Sequence, residues 1–228
     1  MKLAWQQIAS TVVSDILCAN KLDGVVLDTE HGMFNPETLY ACIQVITSNR
    51  KKAFVRLIDV DKATVRSCLD AGADGIIFST IESLKQTDDA LRFSKYPVQG
   101  GFRGLGLVRQ NKWGLNDLIS KEPILIAQIE TSTGVKNISE IWDSKVFDYV
   151  MVGPYDLTAS LGCPGDFEHV LYRRAVSSIK RVVPHYRMAV HVPCNVENEI
   201  KKYDGFGIIA VGMDTTFIIE KYEAIQDA

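Results

Sequence analysis

The 228-residue chain has no apolar run long enough to cross a bilayer as a helix. Its first residues, Met1-Lys2-Leu3-Ala4-Trp5-Gln6-Gln7, lack the apolar core of a secretory signal. These absences lead to the expectation of a cytoplasmic protein with no membrane partner. A basic surplus is missing too: 25 Lys and Arg stand against 28 Asp and Glu, a formal net charge of −3. No nucleic-acid partner is therefore expected. The five cysteines are odd in number and widely spaced, and no Cys-x-x-Cys occurs. That argues against a disulfide framework and against a zinc site. Cys18, Cys42 and Cys68 fall in helical patterns and read as small buried hydrophobes. Cys163 and Cys194 fall in loops, with no base near them in sequence. There is no linker, low-complexity run or shift in composition, so residues 1–228 read as one domain.

What the chain has is alternation. Short apolar runs bounded by turn residues read as strands at Leu3–Trp5, Gly24–Asp28, Phe54–Leu57, Gly75–Phe78, Pro123–Glu130, Tyr149–Val152, Met188–His191 and Ile208–Val211. Helical patterns lie between them. Ile8 to Ala19 carries Ile8, Val12, Ile16 and Leu17 as an apolar face. Asn35-Pro36 opens the next helix, and Asp61 caps the one after it. Ser79-Thr80-Ile81-Glu82 has capping-box spacing, so a helix is expected to start there. Asp166 to Val183 reads as the longest helix, with Phe167, Val170, Val176 and Ile179 inward. The last residues, Gln226, Asp227 and Ala228, are expected to fray.

Strands alternating with helices imply parallel pairing through right-handed crossovers, and eight such units close best as a (β/α)8 TIM barrel. A doubly wound open sheet is the alternative, but no Gly-x-Gly-x-x-Gly follows the first strand. A barrel gathers the C-terminal strand ends into one cleft. Trp5, Asp28, Glu30, His31, Arg56, Ser79, Gln128, Glu130, Asp156 and Asp214 then share it. The stretch Leu27-Asp28-Thr29-Glu30-His31-Gly32 is the centre of this set, since it delivers two carboxylates and an imidazole at the end of a buried strand.

Glu130 and Asp156 can clamp a divalent cation, and oxygen ligands suit magnesium or manganese. The open positions accept a bidentate 2-oxo acid, whose enolate a cation would stabilise. Arg56 can add positive charge to the same oxygen. His31 can move protons, with Asp28 orienting its ring. Blander readings stand beside these. Arg56 can simply pair with a rim acid, Glu130 can serve a helix N-terminus, and His31 can be structural.

With its motifs in order at barrel spacing, the chain resembles the HpcH/HpaI aldolase family. The motifs are Leu27-Asp28-Thr29-Glu30-His31-Gly32, Val55-Arg56, Gly101-Phe102-Arg103-Gly104-Leu105-Gly106, Gln128-Ile129-Glu130-Thr131, Gly153-Pro154-Tyr155-Asp156-Leu157 and Val211-Gly212-Met213-Asp214-Thr215. The resemblance implies a class II, metal-dependent lyase that reversibly cleaves a 4-hydroxy-2-oxo acid to pyruvate and an aldehyde. It implies Glu130 and Asp156 as ligands of Mg2+, Mn2+ or Co2+. It implies Arg56 on the pyruvate oxygens and His31, paired with Asp28, as the base. Gln128 would contact the ketone, and Trp5 would line the aldehyde side. Backbone N–H groups in Gly153-Pro154-Tyr155-Asp156 would hold the carboxylate. A homo-oligomer, trimer or hexamer, is implied as well.

Three positions depart from the family pattern. Leu57 stands where proline often follows the arginine, Tyr155 where a small residue is common, and His191-Val192-Pro193 is unfamiliar. They touch the second substrate more than the pyruvate half. A rival is an acyl-CoA lyase of the citrate lyase beta or malyl-CoA type, which would need a basic cluster for nucleotide phosphates. A phosphate-binding isomerase would need a better phosphate cup after the last two strands. A non-catalytic barrel would be marked by loss of Asp28, Glu130 or Asp156.

Overall fold

The computed structural model describes residues 1–119 and 122–226. Asp227 and Ala228, and the fraying expected of them, lie outside these. Eight parallel strands close into a barrel in chain order: β1 (Lys2–Gln6), β2 (Gly24–Asp28), β3 (Lys52–Leu57), β4 (Gly75–Phe78), β5 (Ile124–Ile129), β6 (Tyr149–Val152), β7 (Met188–Val192) and β8 (Ile208–Val211). The expected fold is thus formed, and every strand falls where the apolar runs put it.

Period-two alternation sorts each strand into two faces. Val25 and Leu27, Ala53 and Val55, Ile76 and Phe78 point outward into the layer between sheet and helices. Leu3, Trp5, Val26, Phe54, Ile77, Ile126, Met151, Ala189, Ile208 and Ala210 fill the barrel interior. The same inward parity, carried to the strand ends, brings Asp28, Arg56, Ser79, Gln128, Glu130 and His191 toward the axis. In the β2–β3 pairing, Asp28 lies directly opposite Arg56.

Several helix boundaries match their caps. Asn35 accepts from Thr38 N, and Asp61 accepts from Thr64 N. The expected helix start at Ser79 is not formed. Ser79 Oγ donates to Glu30, and Thr80 donates both its N–H and its hydroxyl to Glu130. The polar groups that would have capped a helix hold two carboxylates instead, and the helix begins at Leu84, capped by Ser83. The expected long helix is Val170–Val182, and it equals Pro36–Ser48 and Asp214–Gln226 at 13 residues. Phe167 precedes it, and Val170 is 53% exposed.

The first helix, Thr11–Cys18, also departs from expectation, since Val12 and Ile16 are 66% and 65% exposed. The final helix likewise exposes Ile218, Ile219, Tyr222 and Ile225. Cys163, read as a loop cysteine, is buried, whereas Cys194 is exposed. No described helix is long and apolar enough to cross a membrane.

Phe54 is fully buried at the centre of the barrel interior. Phe54→Ala should lower the unfolding free energy by about 3–5 kcal/mol in urea denaturation, as expected for a large core truncation.

Candidate active site

The strand ends and the loops beyond them enclose a cavity of about 340 Å³. Trp5, Gln7, His31, Arg56, Gln128, Gly153, Pro154, Tyr155, Asp156, His191, Pro193 and Met213 are among its walls. Of the ten residues expected to share a cleft, Trp5, His31, Arg56, Gln128 and Asp156 line it. Asp28, Glu30, Ser79 and Glu130 do not line it but hydrogen-bond or pair near it. Asp214 instead accepts from the backbone N–H groups of Gln7 and Ile8.

Arg56 is the centre of the polar network. Its Nε and Nη2 donate to the two oxygens of Asp28 at 2.9 and 2.6 Å. Its Nη1 lies 2.8 Å from Glu30 Oε2, which also accepts from Ser79 Oγ at 2.8 Å. The guanidinium packs 4.9 Å from the Trp5 ring centroid. Trp5 Nε1 in turn donates to Asp28 at 3.1 Å. Burial alone would raise the Asp28 pKa, but Arg56, helped by Gln7 and Trp5, outweighs it and holds the carboxyl below its usual range.

Asp28 was expected to orient the imidazole of His31, and that contact is not formed. Its Oδ1 accepts from the backbone N–H groups of Glu30 and His31 at 3.1 and 3.3 Å. Its remaining capacity goes to Arg56, Trp5 and Gln7. The reason is the strand register: Asp28 and Arg56 are opposite neighbours, whereas His31 lies past the strand end in the turn. His31 is exposed and lines the cavity without a hydrogen bond from its ring among the described residues.

Glu130 is only 2% exposed. Its Oε1 accepts from Thr80 N and Oγ1 at 2.6 and 2.7 Å, and its Oε2 accepts from Gln128 Nε2. Thr80 holds a positive φ of 52°, a costly conformation for a β-branched residue, and this turns its donors onto the carboxylate. A Cβ at Gly153 would lie 2.4 Å from Glu130 Oε2. Only glycine there leaves room for the carboxylate. Burial raises the Glu130 pKa, Thr80 and Gln128 oppose it, and the charge of Glu30 adds to the rise. A divalent cation would relieve this by favouring the ionised form.

Asp156 stands in the first turn of the helix Pro154–Ser160, exposed on the cavity wall. Among the described residues, no group of three or more His, Cys, Asp and Glu converges as a closed metal site. Glu130 and Asp156, expected as ligands, would then form an open oxygen pair rather than a closed cage. Such a pair fits a hard cation that completes its shell with water or substrate.

Sequence reasoning left three participants without a role. Thr80 was assigned to a cap. Gln7 donates to Asp28 at 3.2 Å and accepts from Thr215 Oγ1 at 3.2 Å. His191, in sequence the end of a strand and a departure from the family pattern, stacks on Trp5 with centroids 4.0 Å apart and planes 10° apart. Its inward parity on β7 was the available signal.

A family model described as HpcH/HpaI aldolase/citrate lyase matches residues 3–220. The chain belongs to that family. The 4-hydroxy-2-oxo-heptane-1,7-dioate aldolase of Escherichia coli is 27% identical over 229 residues, covering 97% of this chain and 87% of the relative. A crystal structure of an HpcH/HpaI aldolase/citrate lyase family protein from Burkholderia cenocepacia superposes with a TM-score of 0.91 at 23% identity, over 100% of this chain and 93% of the other. The structure of citrate synthase SbnG gives 0.86 at 25% identity, over 99% of this chain and 91% of that one.

The depressed Asp28 pKa fixes an acid dependence. Its contribution to stability is complete above the unfolded carboxylate value of about 4 and is lost as pH falls through the lower folded value. Asp28→Asn should flatten this acid limb in urea titrations and cost about 3–5 kcal/mol at pH 7 by breaking a buried pair. An unchanged acid limb would contradict the pairing.

Proposed function

We propose that this HpcH/HpaI family member is a divalent-metal-dependent aldolase, a carbon–carbon lyase that reversibly cleaves a 4-hydroxy-2-oxo acid to pyruvate and an aldehyde. The observation that carries this reading is the Arg56 guanidinium, held by Asp28 and Glu30 in a cavity whose wall also carries Asp156, with Glu130 buried just past the end of β5. The relatives named as aldolases support it.

Two of the five guanidinium N–H groups of Arg56 are hydrogen-bonded to Asp28, and Nη1 is ion-paired with Glu30. The others would serve the substrate. They would meet the oxygen on which negative charge develops as the enolate forms, and a donor already fixed in place needs no reorganisation at that moment. Glu130 and Asp156 would hold the cation, which supplies Lewis acidity toward the ketone oxygen. Gln128, beside Glu130, would contact that ketone. Backbone N–H groups of Tyr155 and Asp156 would receive the carboxylate of pyruvate. His31, on the cavity wall with its ring not bonded to Asp28, would move the proton directly or through water. Trp5 gives the aldehyde side an apolar wall. Tyr155, edge-on to Phe167 with centroids 5.1 Å apart, would narrow the cavity it lines.

The acyl-CoA lyase alternative is less favoured. Arg56 is the only lysine or arginine among the cavity-lining residues, and its charge is already engaged. The apolar residues exposed on Thr11–Cys18 and Asp214–Gln226 support assembly into a homo-oligomer.

The direct test is exchange of the pyruvate C3 protons in deuterated water, followed by NMR. Exchange should appear with Mn2+ or Mg2+ and stop with EDTA. Glu130→Gln should lose at least about 100-fold of the rate, as expected when a preorganised electrostatic element is removed. Equal exchange with and without metal would refute the metal assignment.

A further inference from the structure

His191 lines the cavity but has no part in the chemistry above. Its Nε2 lies 3.0 Å from the carbonyl oxygen of Gly212. A carbonyl only accepts, so Nε2 carries the proton and Nδ1 is left with a lone pair. Among the described residues, Nδ1 has no protein donor, yet it is not sealed from solvent. Loss of hydration pulls the pKa down to about 4 against the Gly212 contact, and the charge of Arg56 lowers it further. The ring is therefore neutral at ordinary pH.

Barrel order separates the cavity into two sides. Gln128 lies on β5, and residues 153–156 follow β6. Trp5, His191, Pro193 and Met213 come from β1, β7 and β8 and the turns beyond them. The second side offers apolar surface and an acceptor, with no cation except the engaged Arg56. The stack on Trp5 fixes where that acceptor sits.

We propose that His191 selects the aldehyde partner, and that the chain favours short, uncharged hydroxyaldehydes over aldehydes ending in a carboxylate. The inference rests on the aldolase reading. In the condensation direction, C3 of the pyruvate enolate attacks the aldehyde carbon, a carbon–carbon bond forms, and the aldehyde oxygen takes a proton to become the 4-hydroxyl. The hydroxyl next to the aldehyde donates to His191 Nδ1. A terminal carboxylate has no proton to donate and meets the same lone pair without a counter-charge, a penalty larger than the loss of one bond.

The test compares kcat/KM for glycolaldehyde, acetaldehyde and succinate semialdehyde, with pyruvate and Mn2+. Wild-type enzyme should prefer glycolaldehyde to both others. His191→Phe keeps an aromatic face for Trp5 and removes the acceptor. It should cut the glycolaldehyde-to-acetaldehyde ratio about tenfold, mainly through KM, as expected for one hydrogen bond. His191→Asn presents an oxygen near the position of Nδ1 and should hold the ratio within about threefold of wild type. An unchanged ratio in His191→Phe, or a wild-type preference for succinate semialdehyde, would overturn the assignment. The wild-type comparison stands even if the Phe variant fails to fold. Metal-dependent C3 exchange without hydroxyaldehyde preference would refute this inference alone, whereas no exchange would overturn the aldolase reading with it.

Discussion

The buried pairing of Arg56 with Asp28 is the interaction on which the rest of the site depends. Two charged side chains at the mouth of a barrel are costly to desolvate, and the attraction between them repays that only when the geometry is good. Here Asp28 and Arg56 are opposite residues on adjacent parallel strands, so the backbone register itself aligns carboxylate and guanidinium. Two N–H groups meet two oxygens, and Trp5 donates to the carboxylate while lying against the guanidinium. Glu30 and Ser79 close the far side. These contacts hold the arginine at the cavity wall.

That clamp leaves an excess of negative charge. Asp28 and Glu30 share one guanidinium, while Glu130 feels the charge of Glu30 and Asp156 lies on the cavity wall. Glu130 bears the strain, since burial and the charge of Glu30 both push its pKa upward. The chain spends an unfavourable Thr80 backbone conformation and an obligatory glycine at Gly153 to keep the carboxylate in place. These costs make sense if the carboxylate serves a cation rather than the fold. The opposite side of the cavity is built differently, from stacked rings and apolar side chains, with His191 as its acceptor.

Much of this was legible in the sequence because barrel geometry turns parity into position. Once Val26 and Phe54 are read as inward, Asp28 and Arg56 must be inward too, and Gln128 and Glu130 follow by the same rule on β5. What was not legible depended on competition among side chains. Ser79-Thr80-Ile81-Glu82 has the spacing of a capping box, but two distant carboxylates take its donors. Asp28 lies three residues from His31, yet the guanidinium across the strand wins it. The apolar faces of Thr11–Cys18 and Asp214–Gln226 have helical periodicity without a covering layer within this chain, and one sequence does not distinguish burial in a core from burial between subunits.

In the proposed reaction the fixed guanidinium and a cation together would receive the oxygen of a planar enolate. Oxalate has the shape and charge of that species, so calorimetric titration of oxalate into the protein tests the claim without an aldehyde. Binding should require Mn2+ and should weaken at least about 100-fold in Arg56→Lys, which keeps the charge but loses the planar fork. Oxalate binding of equal strength without metal, or in Arg56→Lys, would contradict it.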